Sequence, residues 1–290
     1  MKLSIIIPVY NDAEGLSSTI NTLLENNQEL EDFEIIICID GGLYTDVNMA
    51  IDLIKLHSTI NISYICITPN KGSYNARNIG VEKAVGNVFS FLDAGVYVQK
   101  GWYTALQSYI QQYDYIAGAV EIPWDWANTL FEKYDSITSF PVKEYLSSGH
   151  FGPTANVSVK KDTFLSVGGF DSRLQSGGDC HFGKKVFNNK FSQGFCQEML
   201  VFHKPRNRNQ IIIKINRVNE GLSELQRLYP EFSIIPNERH YKRFIENMIK
   251  IVFSPSKFNA YRSNKLSRFD FLITQSTVTF YHFIARIKYF

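Results

Sequence analysis

Four apolar runs in the first third of the chain limit what it can fold into: LSIIIPVY (3–10), FEIIICID (33–40), ISYICIT (62–68) and VFSFLD (88–93). The runs are continuously apolar rather than alternating, which is the pattern of strands buried on both faces. Each gives way at once to turn formers: Asn11-Asp12, Gly41-Gly42, Pro69-Asn70-Lys71-Gly72 and Ala94-Gly95. Between them, Leu16, Ile20, Leu23 and Leu24 share one helical face, Met49 to Leu56 carries a second helical pattern, and residues 74 to 85 carry a third. Strands alternating with helices over short connections predict an α/β fold: a mostly parallel sheet with helices on both faces. Ligands of such sheets bind beyond the carboxyl ends of the strands. The polar strand ends, Tyr10-Asn11-Asp12, Asp40-Gly41-Gly42, Asn70-Lys71-Gly72 and Asp93-Ala94-Gly95, are therefore where function is expected.

From about residue 114 the pattern changes. YDYIAGAVEI reads as a strand, PWDWANTLFEKYDSITSF (123–140) as an aromatic-rich helix, and SGHFGPTANVSV as a glycine-rich loop entering a strand. The turn LQSGGD, the helix CHFGKKVFNN and the strand GFCQEMLVFH follow, and after His203 the chain turns basic and helical. A chain of 290 residues can bury a full core and still carry an extension. Cys38, Cys66, Cys180 and Cys196 are widely spaced, form no Cys-x-x-Cys, and fall partly in apolar runs. That favours a reducing compartment over a disulfide framework. The opening apolar run is too short for a signal peptide, and nothing approaches the ~18 apolar residues of a membrane span, so a cytoplasmic setting is expected.

Net charge is +2, unevenly spread. Residues 204–290 hold 16 Lys and Arg against 6 Asp and Glu, which is +10, and the other 203 residues hold 14 against 22, which is −8. A basic tail on an acidic body predicts an anionic partner for the tail. No nucleic-acid motif accompanies the charge, and it lies outside the sheet, so a membrane surface is the expected partner and nucleic acid is not. The aromatic, apolar stretch 268–290 fits peripheral membrane contact, packing on the rest of the chain, or an oligomer contact.

The order of these pieces resembles the family-2 glycosyltransferases, which have the GT-A fold. The residues that carry the resemblance are SIIIPVYND (4–12), IDGG (39–42), ARNIG (76–80), FLDAG (91–95), GPTANVSVKKDTFLSVGGFD (152–171), SGGDCHFG (176–183) and VFHKPRN (201–207). The resemblance spans roughly 3–207. It implies a catalytic domain over 1–207, with a nucleotide-binding half near 1–95 and an acceptor half near 96–207, followed by a basic helical extension over 208–290. It also implies sugar transfer, with inversion, from a nucleotide-diphosphate sugar (a UDP-sugar) to a hydroxyl of a glycan or lipid-linked acceptor.

Individual residues take roles from the same resemblance. Pro8, Tyr10, Asp40, Arg77 and Asp93 would bind the nucleotide, with Asp40 accepting from the base. An ionised carboxylate is acceptor-only and suits an imide N–H; the plainer reading is a turn-forming Asp before Gly-Gly. Asp93 opens the motif that normally holds Mn²⁺ or Mg²⁺. The acid expected two residues later is Gly95, which has no side chain to coordinate with, so metal dependence is in doubt. Asp93 and His203 would form a reduced metal site; alternatively Lys204, Arg206 and Arg208 would hold the diphosphate. His203 reads equally well as an ordinary hydrogen-bonding histidine.

Asp179, after Gly177-Gly178, would be the general base that takes the acceptor proton, and it also reads as a helix N-cap. The family pattern has Glu at 178 and an acid at 181, where this chain has Gly178 and His181. Trp124, Trp126, His150 and Phe151 are expected on the acceptor side, with helix packing as the alternative for the tryptophans. These departures also support a rival reading, a nucleotide-sugar-binding scaffold with little or no activity.

Overall fold

The computed structural model describes residues 1–232 and 267–289. Its eight strands form one sheet: β1 (Leu3–Val9), β2 (Phe33–Asp40), β3 (Ile62–Ile67), β4 (Val88–Leu92), β5 (Val96–Val98), β6 (Tyr115–Glu121), β7 (Asn156–Lys160) and β8 (Gln193–His203), in the order β3-β2-β1-β4-β7-β6-β8-β5. The helices are α1 (Ala13–Asn26), α2 (Tyr44–Leu56), α3 (Ser73–Lys83), α4 (Trp102–Tyr109), α5 (Leu130–Thr138), α6 (Val142–Gly149), α7 (Lys161–Ser166), α8 (Gly178–Asn188), α9 (Arg208–Leu228) and α10 (Arg268–Tyr289).

As expected, β1 to β4 are parallel; β6 and β8 share their direction, and only β7 and β5 run against it. All of β1 and β4, and β2 beyond Phe33, are buried, so both faces of the sheet are covered there. Helix α3 lies close against it: a Cβ on Gly80 would come within 2.6 Å of Ile6 and 2.8 Å of Cys38. That close approach is why ARNIG ends in glycine. The second half is tied by a buried polar knot. Asn156 in β7 donates to the carbonyls of Ala119 (2.9 Å) and Met199 (2.6 Å) and accepts from the Trp102 indole (2.9 Å), so β6, β7, β8 and α4 meet at one satisfied amide.

Some expectations are corrected. Strand β3 is apolar in letters but stands at the sheet edge, and Ser63, Tyr64 and Cys66 are exposed. The single helix expected over 123–140 is a 3-10 turn at Trp124–Trp126 and then α5. A capping box between Thr129 and Glu132 starts α5 at Leu130. Helix α8 is capped at Gly177, so Asp179 lies within its first turn and is not its N-cap. All four cysteines are free.

The described residues divide into two compact units. One comprises Met1–Glu121 with Phe140–Lys204, and the other Ile122–Ser139 with the chain from Pro205 onward. In the second unit, α5, α9 and α10 close over Tyr134, Ile211, Ile215, Phe271, Val278 and Ala285. The Tyr134 hydroxyl donates to Gln275 (2.6 Å), and buried Asp135 accepts from the Arg206 backbone N–H (2.9 Å) and guanidinium (3.4 Å). Residues 233–266 of the predicted extension lie outside the described residues.

Candidate active site at the carboxyl edge of the sheet

Strands β1 and β4 pair only as far as Ile6–Phe91, and beyond that point they part. Pro8, with no N–H to give to a ladder, falls past the last pair. The order β3-β2-β1-β4 also reverses direction here, which is where open α/β sheets form ligand crevices. The loop after β1 leaves Tyr10 59% exposed beside Gly41. Its backbone is held by a residue that sequence reasoning missed. Asp46, fully buried in the first turn of α2, accepts from the N–H groups of Asn11 (2.7 Å) and Asp12 (3.1 Å). Asp12 in turn accepts from Gly15 N (3.0 Å) and caps α1.

Asp40 ends β2 and is buried. Its two carboxylate oxygens accept from Lys71 N (2.8 Å) and Gly72 N (2.8 Å), which fixes the loop into α3. Helix α3 begins at Ser73 without a side-chain cap and carries Arg77, 2% exposed, into unit one's interior. The Arg77 guanidinium donates through Nη2 to Asp93 at the end of β4, while its Nε and Nη1, and Asn75 Nδ2, are buried without a hydrogen-bond partner. Buried unpaired donors cost about 1–3 kcal/mol each, so their retention points to an acceptor-rich ligand. Asn78, the residue after Arg77, donates to the Phe170 carbonyl (2.8 Å) and accepts from its N–H (3.1 Å), joining the ARNIG and GGFD segments.

Asp179 joins this group through Tyr74. The Tyr74 hydroxyl donates to Asp179 Oδ1 (3.4 Å), its ring packs against Phe170, and the Arg77 guanidinium lies 5.8 Å from the ring centre. Burial pushes the Asp179 carboxyl above its ordinary pKa, outweighing the Cys180 N–H (2.9 Å), the Arg77 charge and the Tyr74 hydroxyl, all of which favour the carboxylate. Burial likewise raises Tyr74, helped by the Asp179 charge, which keeps the phenol a donor. Gly178 has a physical reason as well: a Cβ there would come 2.6 Å from the Tyr74 ring. The tyrosine fills the space that the family's Glu would need.

The described residues show no clear site for a divalent cation. Hard cations need several oxygen ligands in one place. Among the described residues no group of three or more His, Cys, Asp or Glu comes together. One Asp93 oxygen is taken by Arg77. Gly95 has φ +90°, and a Cβ there would lie 3.2 Å from an Asp12 carboxylate oxygen. His203 sets Nδ1 2.6 Å from the Lys204 carbonyl and its ring against Phe140. The donor set does not fit the family's usual clamp.

The other predicted residues have defined surroundings. Lys204 Nζ lies 5.7 Å from the Tyr97 ring centre. Arg206 pairs with Asp135, and Arg208 donates to the Tyr281 hydroxyl (2.6 Å), both within the second unit. Trp124 and Trp126 belong to that unit too, with Lys133 Nζ 5.5 Å from the Trp124 ring centre and Trp126 37% exposed. His150 caps α6 and stacks on Phe187 with ring centres 3.6 Å apart, and Phe151 stacks on Tyr145.

Comparison with known proteins agrees with this architecture. Glycosyltransferase AglE of Haloferax volcanii is 30% identical over 223 residues, 76% of this chain and 72% of that one. A glucosyl-dolichyl phosphate glucuronosyltransferase of the same organism is 27% identical over 197 residues, 62% of this chain but only 59% of its own length. Among solved structures, mannosyltransferase PcManGT from Pyrobaculum calidifontis, in complex with GDP-Man and Mn²⁺, superposes with a TM-score of 0.65 at 14% identity, over 99% of this chain and 86% of that one. S. aureus TarS 1–349 in complex with UDP gives 0.55 at 15% identity, over 100% and 91%. These likenesses establish the GT-A fold. The pattern described as glycosyl transferase family 2 matches residues 4–161, more than half the chain, and with the AglE match it shows that this protein belongs to that family.

Proposed function

We propose that the chain moves a sugar from a nucleotide-diphosphate sugar, a UDP-sugar, to an acceptor hydroxyl with inversion. The observation that carries this reading is the linked set Asp179–Tyr74–Arg77–Asp93 at the carboxyl edge of the sheet, with a carboxyl of raised pKa at one end and unpaired guanidinium donors beside it. Burial that raises a carboxyl's pKa makes its carboxylate the stronger base. The acceptor oxygen forms its bond to the anomeric carbon as the bond to the diphosphate breaks. The nucleoside diphosphate leaves with the electron pair, and Asp179 takes the acceptor proton. Arg77 contributes positive charge and N–H donors toward the phosphates or base, with Asp93 orienting it. Tyr10, above Gly41, offers a ring for the base, and Asp40 shapes the loop around it. A lipid-linked acceptor is the preferred class, supported by the relative named for action on a glucosyl-dolichyl phosphate.

The test is Asp179→Asn, which keeps an acceptor for Cys180 N. UDP-sugar binding should remain near wild type while transfer falls by ~10²–10⁴-fold. Transfer at the wild-type rate with donor bound would overturn the assignment. The scaffold reading is favoured by Gly95 and the lack of a metal cluster among the described residues; it predicts that the unmodified chain neither transfers sugar nor hydrolyses donor.

A further inference from the structure

We propose that the outward face of α10 is a docking surface for an anionic lipid bilayer, on which the helix lies in the plane of the headgroups. Ile273, Phe280, Ile284 and Ile287 are 46%, 58%, 46% and 66% exposed. At 100° per residue these four fall within about 60° of arc, a single stripe along the helix. The opposite face is already used: Phe271, Thr274, Val278 and Ala285 are buried, and the three apolar residues belong to the core shared with α5 and α9. The helix therefore has two apolar faces, and among the described residues only one is covered. From the sequence alone the two stripes overlap and no single face stands out. They separate once the residues buried in the unit are known.

Charge selects the occupant. The last turn carries Arg286 and Lys288, both exposed; Lys288 lies one turn on from Ile284 at the stripe's edge, and Arg286 lies about 100° around the helix from Ile287. The acid of the first turn, Asp270, accepts from Ser267 and lies at the far end. Residues 204–290 carry 16 basic against 6 acidic side chains. A second copy of this chain would bring the same positive charge to the contact, whereas an anionic surface neutralises it. Apolar contact alongside basic residues is the chemistry of helices that lie in the interface. Among the described residues no helix is long and apolar enough to cross a membrane, so α10 would lie on the bilayer rather than span it.

Flotation of the full chain with vesicles tests this directly. Vesicles containing phosphatidylglycerol should carry the protein, and pure phosphatidylcholine vesicles should carry much less. Phe280→Ser with Ile284→Ser should weaken binding by about tenfold per side chain. Arg286→Gln and Lys288→Gln should each weaken it about fivefold, on anionic vesicles only. All four positions are exposed, so the variants should unfold at the wild-type temperature, which separates lost docking from lost folding. The proposal is overturned if the wild-type chain ignores anionic vesicles or if the variants bind as well as it does. A dimer in solution that dissociates in Phe280→Ser with Ile284→Ser would assign the stripe to a second copy instead.

Discussion

Asp179 depends on a tyrosine 105 positions earlier. Its carboxyl is pushed up by burial and pulled down by Tyr74, so the hydroxyl tunes the group without touching a reacting atom. The sign follows directly. A base works as the carboxylate, above its pKa, so removing a stabiliser of the carboxylate raises the pKa and moves the acid limb of the activity profile to higher pH. Tyr74→Phe should shift that limb upward while the plateau rate at high pH stays within a few-fold of wild type. An unshifted limb in the pH–rate profile would show that Tyr74 only packs. Asp93, Arg77 and Asp179 stand out as candidates in the sequence because their surrounding motifs are local, and the structure links them in one set. Tyr74 does not, since its position matters only once Gly178 has vacated the space its ring enters. Asp40 was legible as a residue but not as a bond pattern, for nothing in IDGG tells that both oxygens meet the N–H groups of Lys71 and Gly72.

At the scale of elements, long continuous apolar runs read well because burial on both faces leaves no other pattern. β1, β2 and β4 behave accordingly. The misses have physical causes. β3 has the same letters but stands at the edge, and edge position is a property of topology rather than of composition. β5 has three residues, too few for any period, and exists because it pairs with β8. The aromatic segment after Pro123 breaks in two because Thr129 and Glu132 form a cap inside a run that otherwise reads as one helix. The β1–α1 loop shows how one element steadies another: α2 supplies Asp46, which takes two of its N–H groups. Asp46→Ala should cost about 1–3 kcal/mol in chemical denaturation and weaken UDP binding in calorimetry. Asp46→Asn, which keeps one acceptor oxygen, should recover part of both.

For the molecule as a whole, charge points to an acidic body and a basic tail, and the resemblance implies a catalytic domain with a boundary near 207. Packing follows different lines. Residues 122–139 lie inside the first 207 but share a core with α9 and α10. A chain cut after 207 should leave Phe131, Tyr134 and Ile137 without their apolar partners on α9 and α10. We expect such a truncation to give little soluble protein, or protein that binds a hydrophobic dye and melts without a sharp transition. Normal yield and a cooperative melt would show that α5 can manage alone. The second unit is thus not an appendage fastened at one seam. Its foundation is threaded into the transferase sequence, so the two parts cannot be inherited, exchanged or engineered as interchangeable modules by a single crossover. A change to α9 or α10 is therefore felt by α5, an internal helix of the transferase sequence.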